Sequence, residues 1–230
     1  MLGNFDFDVI RRSLSYLFLD GMTFTLTLTA LATCGGIVFG TLIAMMRLSG
    51  LWGLSRFAQL YVDLMRSLPL VLVIFWFYFL VPYIGQWLTG SSRPVRVGAF
   101  ASSLITFTLF EAAYFAEIMR AGIQSISKGQ PAAASALGLT YGQTMRYVVL
   151  PQAFRNMLPV LLTQTIVLFQ DTSLVYVLSI PDFLGAASKV AQRDGRLVEM
   201  YLFAALVYFV ISCIASFGVR RLQARIAIVR

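Results

Sequence analysis

The sequence contains no histidine, only two cysteines, and few charges: 12% of its 230 residues are Asp, Glu, Lys or Arg. Missing imidazoles remove the commonest general base and metal ligand. No Gly-Lys dipeptide occurs anywhere, so a phosphate-cradling Walker A loop cannot form. No metal-ligand cluster and no paired nucleophile and base stand out, which argues against an enzyme and leaves no catalytic residue or metal site to name. Soluble domains carry about a quarter charged residues. Here 59% of residues are hydrophobic and the mean hydropathy is +0.80, a composition for lipid.

Three stretches carry no charge: Gly21 to Met46, Ser67 to Ser92, and Met200 to Val219. Each is long enough to cross a bilayer, which takes roughly 20 apolar residues. Val97 to Met119 is interrupted only by Glu111 and Glu117, and Asn156 to Ile180 only by Asp171. The expectation is an all-α integral membrane protein with five transmembrane helices. The first apolar run covers 26 residues, beyond the roughly 7–15 of a signal-peptide core, and is expected to remain as an anchor. Cys34 and Cys213 fall inside spans and read as small buried side chains without a disulfide.

A net charge of +8 raises the possibility of nucleic acid, but membrane proteins gather Lys and Arg on cytoplasmic loops, so position outweighs the sum. With five spans, eleven basic residues share one side: Arg47, Arg56 and Arg66, four from Arg120 to Arg155, and four from Arg220 to Arg230. Seven lie opposite, including Arg11, Arg12, Arg93 and Arg96. The richer side is expected to be cytoplasmic, with the N-terminus outside and the C-terminus inside. The organisation is then a mixed segment over residues 1–20, read as an ordinary flank in preference to an interfacial helix, a membrane domain over 21–219, and a basic tail over 220–230.

Within the first span, Thr23, Thr25, Thr27 and Thr29 alternate with apolar residues as in a strand. Helix still wins, because only a helix satisfies its own backbone in lipid. Gly36 and Gly40 are four apart, a spacing that lets membrane helices approach closely.

The loop region over residues 121–155 is polar enough to leave the membrane. Gln130 and Pro131 can begin a helix that continues through Ala132, Ala133 and Ala134 to Leu137, with Gly138 placed to end it. Thr140 and Gln143 have capping-box spacing, which predicts a second short helix. Helices this short are marginal alone. The pair either docks on a partner or folds under the membrane domain.

Gly138, with Val148, Val149, Leu150 and Pro151 following at the right distance, resembles the Gly-x9-Ile-x-Leu-Pro loop motif of bacterial ABC importer permeases. The family's Glu-Ala-Ala falls on Ala132, Ala133 and Ala134, so the alanines match and the glutamate is absent. Arg66-Ser-Leu-Pro-Leu70, Ala116 to Ile126, Lys128-Gly-Gln130, Leu150 to Arg155 and Asp171-Thr-Ser-Leu174 resemble the polar amino acid subfamily, and the wording around Glu111 and Asp171 is most similar to its glutamate/aspartate permeases. The resemblance implies the type I ABC importer permease fold in a bacterial inner membrane. It further implies a second permease, either another copy or a related chain, a pair of ATPase subunits that bind ATP in place of any cofactor here, and a periplasmic amino-acid-binding protein. Ala132 to Leu139 would be the coupling helix, with Leu150 and Pro151 completing the motif.

A carboxylate near a bilayer centre costs roughly 2.5–3.5 kcal/mol on insertion scales, so Glu111 and Asp171 are expected to face protein or water. Asp171, Thr172 and Ser173 form a polar interruption, read either as substrate pathway lining or as the end of a broken helix. A carboxylate pair repels an acidic amino acid unless a cation intervenes or it receives the substrate's ammonium. Glu117 reads as a structural partner of Arg120, and Arg66 as an arginine snorkelling at the cytoplasmic start of the second span. The competing function is an ATP-independent secondary transporter or channel, with a membrane scaffold behind it.

Overall fold

The computed structural model describes residues 5–95 and 97–226. Arg96 and Arg230, both used in the charge count, lie outside the described residues, as do the ends of the flank and of the tail. Every regular element among the described residues is helical.

The N-terminal segment corrects the expectation of a plain flank. Asp6 accepts from the amides of Asp8 at 2.9 Å and Val9 at 3.3 Å, capping α1 (Phe7–Ser15). A wider π-type turn over Tyr16–Met22 leads into α2 (Thr23–Leu48), so one helical run extends over Phe7–Leu48 without a break at residue 20. Its amphipathic face explains the difference: Val9 and Leu17 are buried with Phe183, Ala187 and Met200.

The chain then forms α3 (Trp52–Ser67), α4 (Leu70–Phe75) and α5 (Val81–Thr89). Leu68 is extended because Pro69 follows it, which separates α3 from α4. The third span is α6 (Ala99–Gln124), then come α7 (Gly129–Ala136) and α8 (Tyr141–Thr144). The fourth span is one run over Tyr141–Leu178, in which α8 passes through a π-type turn into α9 (Leu150–Asp171) and then a 3-10 segment, Thr172–Leu178. Two further helices complete the chain, α10 (Phe183–Asp194) and the fifth span α11 (Leu197–Ile226).

Five helical runs are long and apolar enough to cross a membrane, matching the sequence reading in number. At the centre stands α6, 56% buried over its most apolar window against 11% for α11. Small residues make that possible: a Cβ on Gly40 would lie 2.8 Å from Phe115 Cβ and 3.1 Å from the Ala112 carbonyl oxygen. The α2–α6 contact is therefore nearly backbone to backbone. Both cysteines are free, as expected, and exposed on this chain, contrary to the expectation of burial.

Candidate functional site

Two regions carry the candidate residues, one at the end of the bundle and one at its centre. At the end, α7 starts at Gly129, just before the expected Gln130, and stops at Ala136, with Leu137 as its cap. Pro131 lies in the first turn, where its missing N–H costs nothing. Gly138 adopts φ +81°, a left-handed conformation that ends the helix as expected. Ala132, Ala133 and Gly138 are exposed, Ala134 is buried and Leu139 half-buried. The capping box is present: Thr140 Oγ1 accepts from the Gln143 amide at 3.4 Å, and Gln143 Oε1 accepts from the Thr140 amide at 2.9 Å.

The helix that follows is not a separate short one. It is the beginning of the fourth span, with Leu150 and Pro151 exposed in the first turn of α9. Beneath α7, Ile126, Val149 and Ala153 form a small core with Ile123 and Met145, so the loop packs under the bundle. Its outer surface stays open, with Leu137 80% and Tyr141 81% exposed. One face of the loop is thus packed on the chain itself, and the other lies open.

At the centre, Glu111 sits midway along α6 and is 0% exposed. Its carboxylate accepts from Gln164 Nε2 of α9 at 3.2 and 3.3 Å. Asp171, half-buried, ends α9 seven residues after Gln164, two turns further along the same face. Thr172 is buried and donates to the Phe169 carbonyl at 2.7 Å, which tightens the helix into the 3-10 segment containing Ser173. The polar interruption in the sequence is thus a change from α to 3-10 helix within one run, further along the helix from Gln164, which touches Glu111. Gln164 does not stand out in the sequence, although its spacing from Asp171 already places both on one helical face.

Glu117 pairs with Arg120 as expected, and additionally with Arg47 across from α2. Arg66 stands just before the second span, Leu70–Thr89, as expected, and its guanidinium lies 5.4 Å from the ring centre of Tyr114 on α6. No group of three or more His, Cys, Asp or Glu side chains suited to a metal is found among the described residues.

The match with known proteins covers nearly the whole chain. The profile of the family described as "Binding-protein-dependent transport system inner membrane component" matches residues 36–228. The chain is 54% identical to the glutamate/aspartate import permease protein GltK of Escherichia coli O157:H7, over 97% of this chain and 99% of that one. It is 37% identical to the probable amino-acid ABC transporter permease protein YckA of Bacillus subtilis, over 86% and 84%. A crystal structure of an amino acid ABC transporter with histidines superposes with a TM-score of 0.85 at 32% identity, covering 96% of this chain and 98% of that one. An inward-facing methionine transporter, MetNI, gives a TM-score of 0.72 at 19% identity over 93% and 97%, a likeness of fold alone.

Proposed function

The chain belongs to the family of binding-protein-dependent transport system inner membrane components, and from that premise we propose that it forms half of the translocation pathway of an ATP-driven importer of glutamate and aspartate. Its place as a multi-pass permease subunit of an ABC importer, not a stand-alone transporter or channel, comes with the family. The substrate is carried over from the 54% identical import permease.

One observation carries the mechanism: a single helical run, Tyr141–Leu178, joins the protruding loop to the polar strip beside Glu111. Its first residue is among the most exposed in the loop, and Asp171 lies thirty residues on, about 45 Å along a helix. A partner ATPase pressing on Leu137, Gly138 and Tyr141 would move that run as a lever. The strip of Glu111, Gln164, Asp171, Thr172 and Ser173 would then open alternately to either side by rigid-body rotation.

In this reading the loop faces the cytoplasm, where two ATPase subunits bind and hydrolyse ATP. The N-terminus and α10 face the periplasm and its amino-acid-binding protein, and a second permease supplies the other half of the pathway. The excess of Arg and Lys on the loop side supports that orientation.

The test is reconstitution of the chain with its companion subunits and binding protein in proteoliposomes. Uptake of glutamate and aspartate is expected to require both ATP and the binding protein. Uptake that proceeds without ATP would refute the assignment, and strict preference for another amino acid would refute the substrate.

A further inference from the structure

We infer that Arg66 is a substrate-contacting residue of the translocation pathway, holding a carboxylate of the transported amino acid opposite Glu111 and Asp171. The inference rests on the proposed import function and adds the cation that function requires.

Glu111 and Asp171 by themselves favour an ammonium and repel a carboxylate, so a site made of them alone suits an acidic amino acid poorly. Tyr114 feels the charges of Glu111 and Asp171 on one hand and of Arg66 on the other, which places all three within electrostatic reach of one ring. Opposite charges thus flank Tyr114 in the arrangement that a zwitterion or an acidic amino acid requires.

Arg66 is also unspent. Among the described residues it forms no salt bridge and no hydrogen bond, and its one recorded interaction is the cation–π contact with Tyr114. Every other arginine beside the central helix is paired: Arg47 and Arg120 both close on Glu117. An arginine in the body of a membrane domain faces water, a partner or a ligand, because lipid rejects it. Its planar fork leaves N–H donors free to bind a carboxylate in bidentate fashion while a guanidinium face rests on the aromatic ring.

The geometry of the chain explains the placement. Pro69 forces Leu68 into an extended conformation and stops α3 at Ser67, one residue past Arg66. The arginine therefore projects from a helix end. Tyr61, one and a half turns earlier on α3, anchors that helix by donating to the Leu109 carbonyl of α6 at 2.6 Å, so the approach to Tyr114 does not depend on Arg66 itself.

The test uses the complete reconstituted importer carrying Arg66→Gln, Arg66→Lys or Tyr114→Phe. Arg66→Gln is expected to raise the KM for glutamate uptake at least tenfold. Arg66→Lys, which keeps the charge and loses the fork, is expected to raise it about threefold. Tyr114→Phe keeps the ring and leaves KM unchanged. Binding-protein-stimulated ATP hydrolysis is expected to stay within twofold throughout, which a merely structural arginine would not allow. Glutamine uptake identifies the group held: impaired alongside glutamate it marks the α-carboxylate, and spared it marks the side-chain carboxylate.

Wild-type KM in Arg66→Gln overturns the inference, and so does a loss of Vmax and ATP hydrolysis at unchanged KM. If Arg66→Gln does not assemble, Arg66→Lys decides, since a wild-type KM there overturns it as well. Should the unmodified importer carry a different amino acid, the substrate assignment fails while Arg66 is tested with that amino acid, which has an α-carboxylate too.

Discussion

Arg47 of α2 donates to the carboxylate of Glu117 on α6, the same carboxylate that Arg120 closes on from one turn away. The arrangement ties the first span to the central helix by charge, beside the glycine contact that ties them by shape. Side-chain exposures of 12% for Arg47 and 22% for Glu117 leave the pair only partly screened.

Glu117→Gln is expected to destabilise the folded chain by about 2 kcal/mol. The figure is reduced from the roughly 3–5 kcal/mol of a fully buried pair because solvent reaches this one. Melting of the purified complex in detergent measures it. The double change Arg47→Met with Glu117→Met is expected to cost less than the sum of the single changes, since the less exposed arginine is then not left beside a missing carboxylate and only Arg120 loses its partner.

Glu111→Gln and Asp171→Asn address the central strip. The amide introduced by Glu111→Gln would still present an oxygen to Gln164, so assembly is expected to survive in both variants. Uptake is expected to fall roughly 10- to 100-fold, the equivalent of about 1.5–3 kcal/mol for one lost charged hydrogen bond. Wild-type uptake in both would remove these residues from the pathway.

Span number, the central carboxylates and the caps at Gly138 and Thr140 are legible in the sequence because each depends on local chemistry: hydropathy, an isolated charge, a turn residue. Gly36 and Gly40 announce a close contact but not its partner, since Phe115 and Ala112 are some seventy residues away. The Arg47–Glu117 pair is hidden for the same reason. Arg66 is legible as the residue before the second span, but its contact with Tyr114 is not, because that ring lies on another helix. The short helices α1 and α10 escape it as well, their burial being visible only once they pack on each other and on α11.

Gly138→Val tests the loop. A β-branched residue at φ +81° costs roughly 1–2 kcal/mol locally, and nothing within 4 Å obstructs its Cβ, so the membrane domain is expected to insert and assemble normally. The expected consequence is that ATP hydrolysis by the partner subunits persists while uptake falls at least tenfold. Uptake at the wild-type rate would refute the role of this loop in coupling.

Asp182 lies outside the five spans, caps α10 and is fully buried, accepting from the amides of Leu184 at 3.0 Å and Gly185 at 2.9 Å. Burial pushes its carboxyl up to about 7, although those two amides pull the other way. A carboxyl raised in the folded state binds its proton more tightly there than in the unfolded chain. The resulting stability is complete below the ordinary value of 3.8 and is lost as the pH rises through about 7. Between pH 5 and 8 the wild-type complex is therefore expected to melt at progressively lower temperature than its Asp182→Asn variant, whose amide oxygen still caps the helix and does not titrate. Parallel melting curves for the two across that range would show that the buried carboxyl keeps its charge. The two backbone donors would then outweigh its burial.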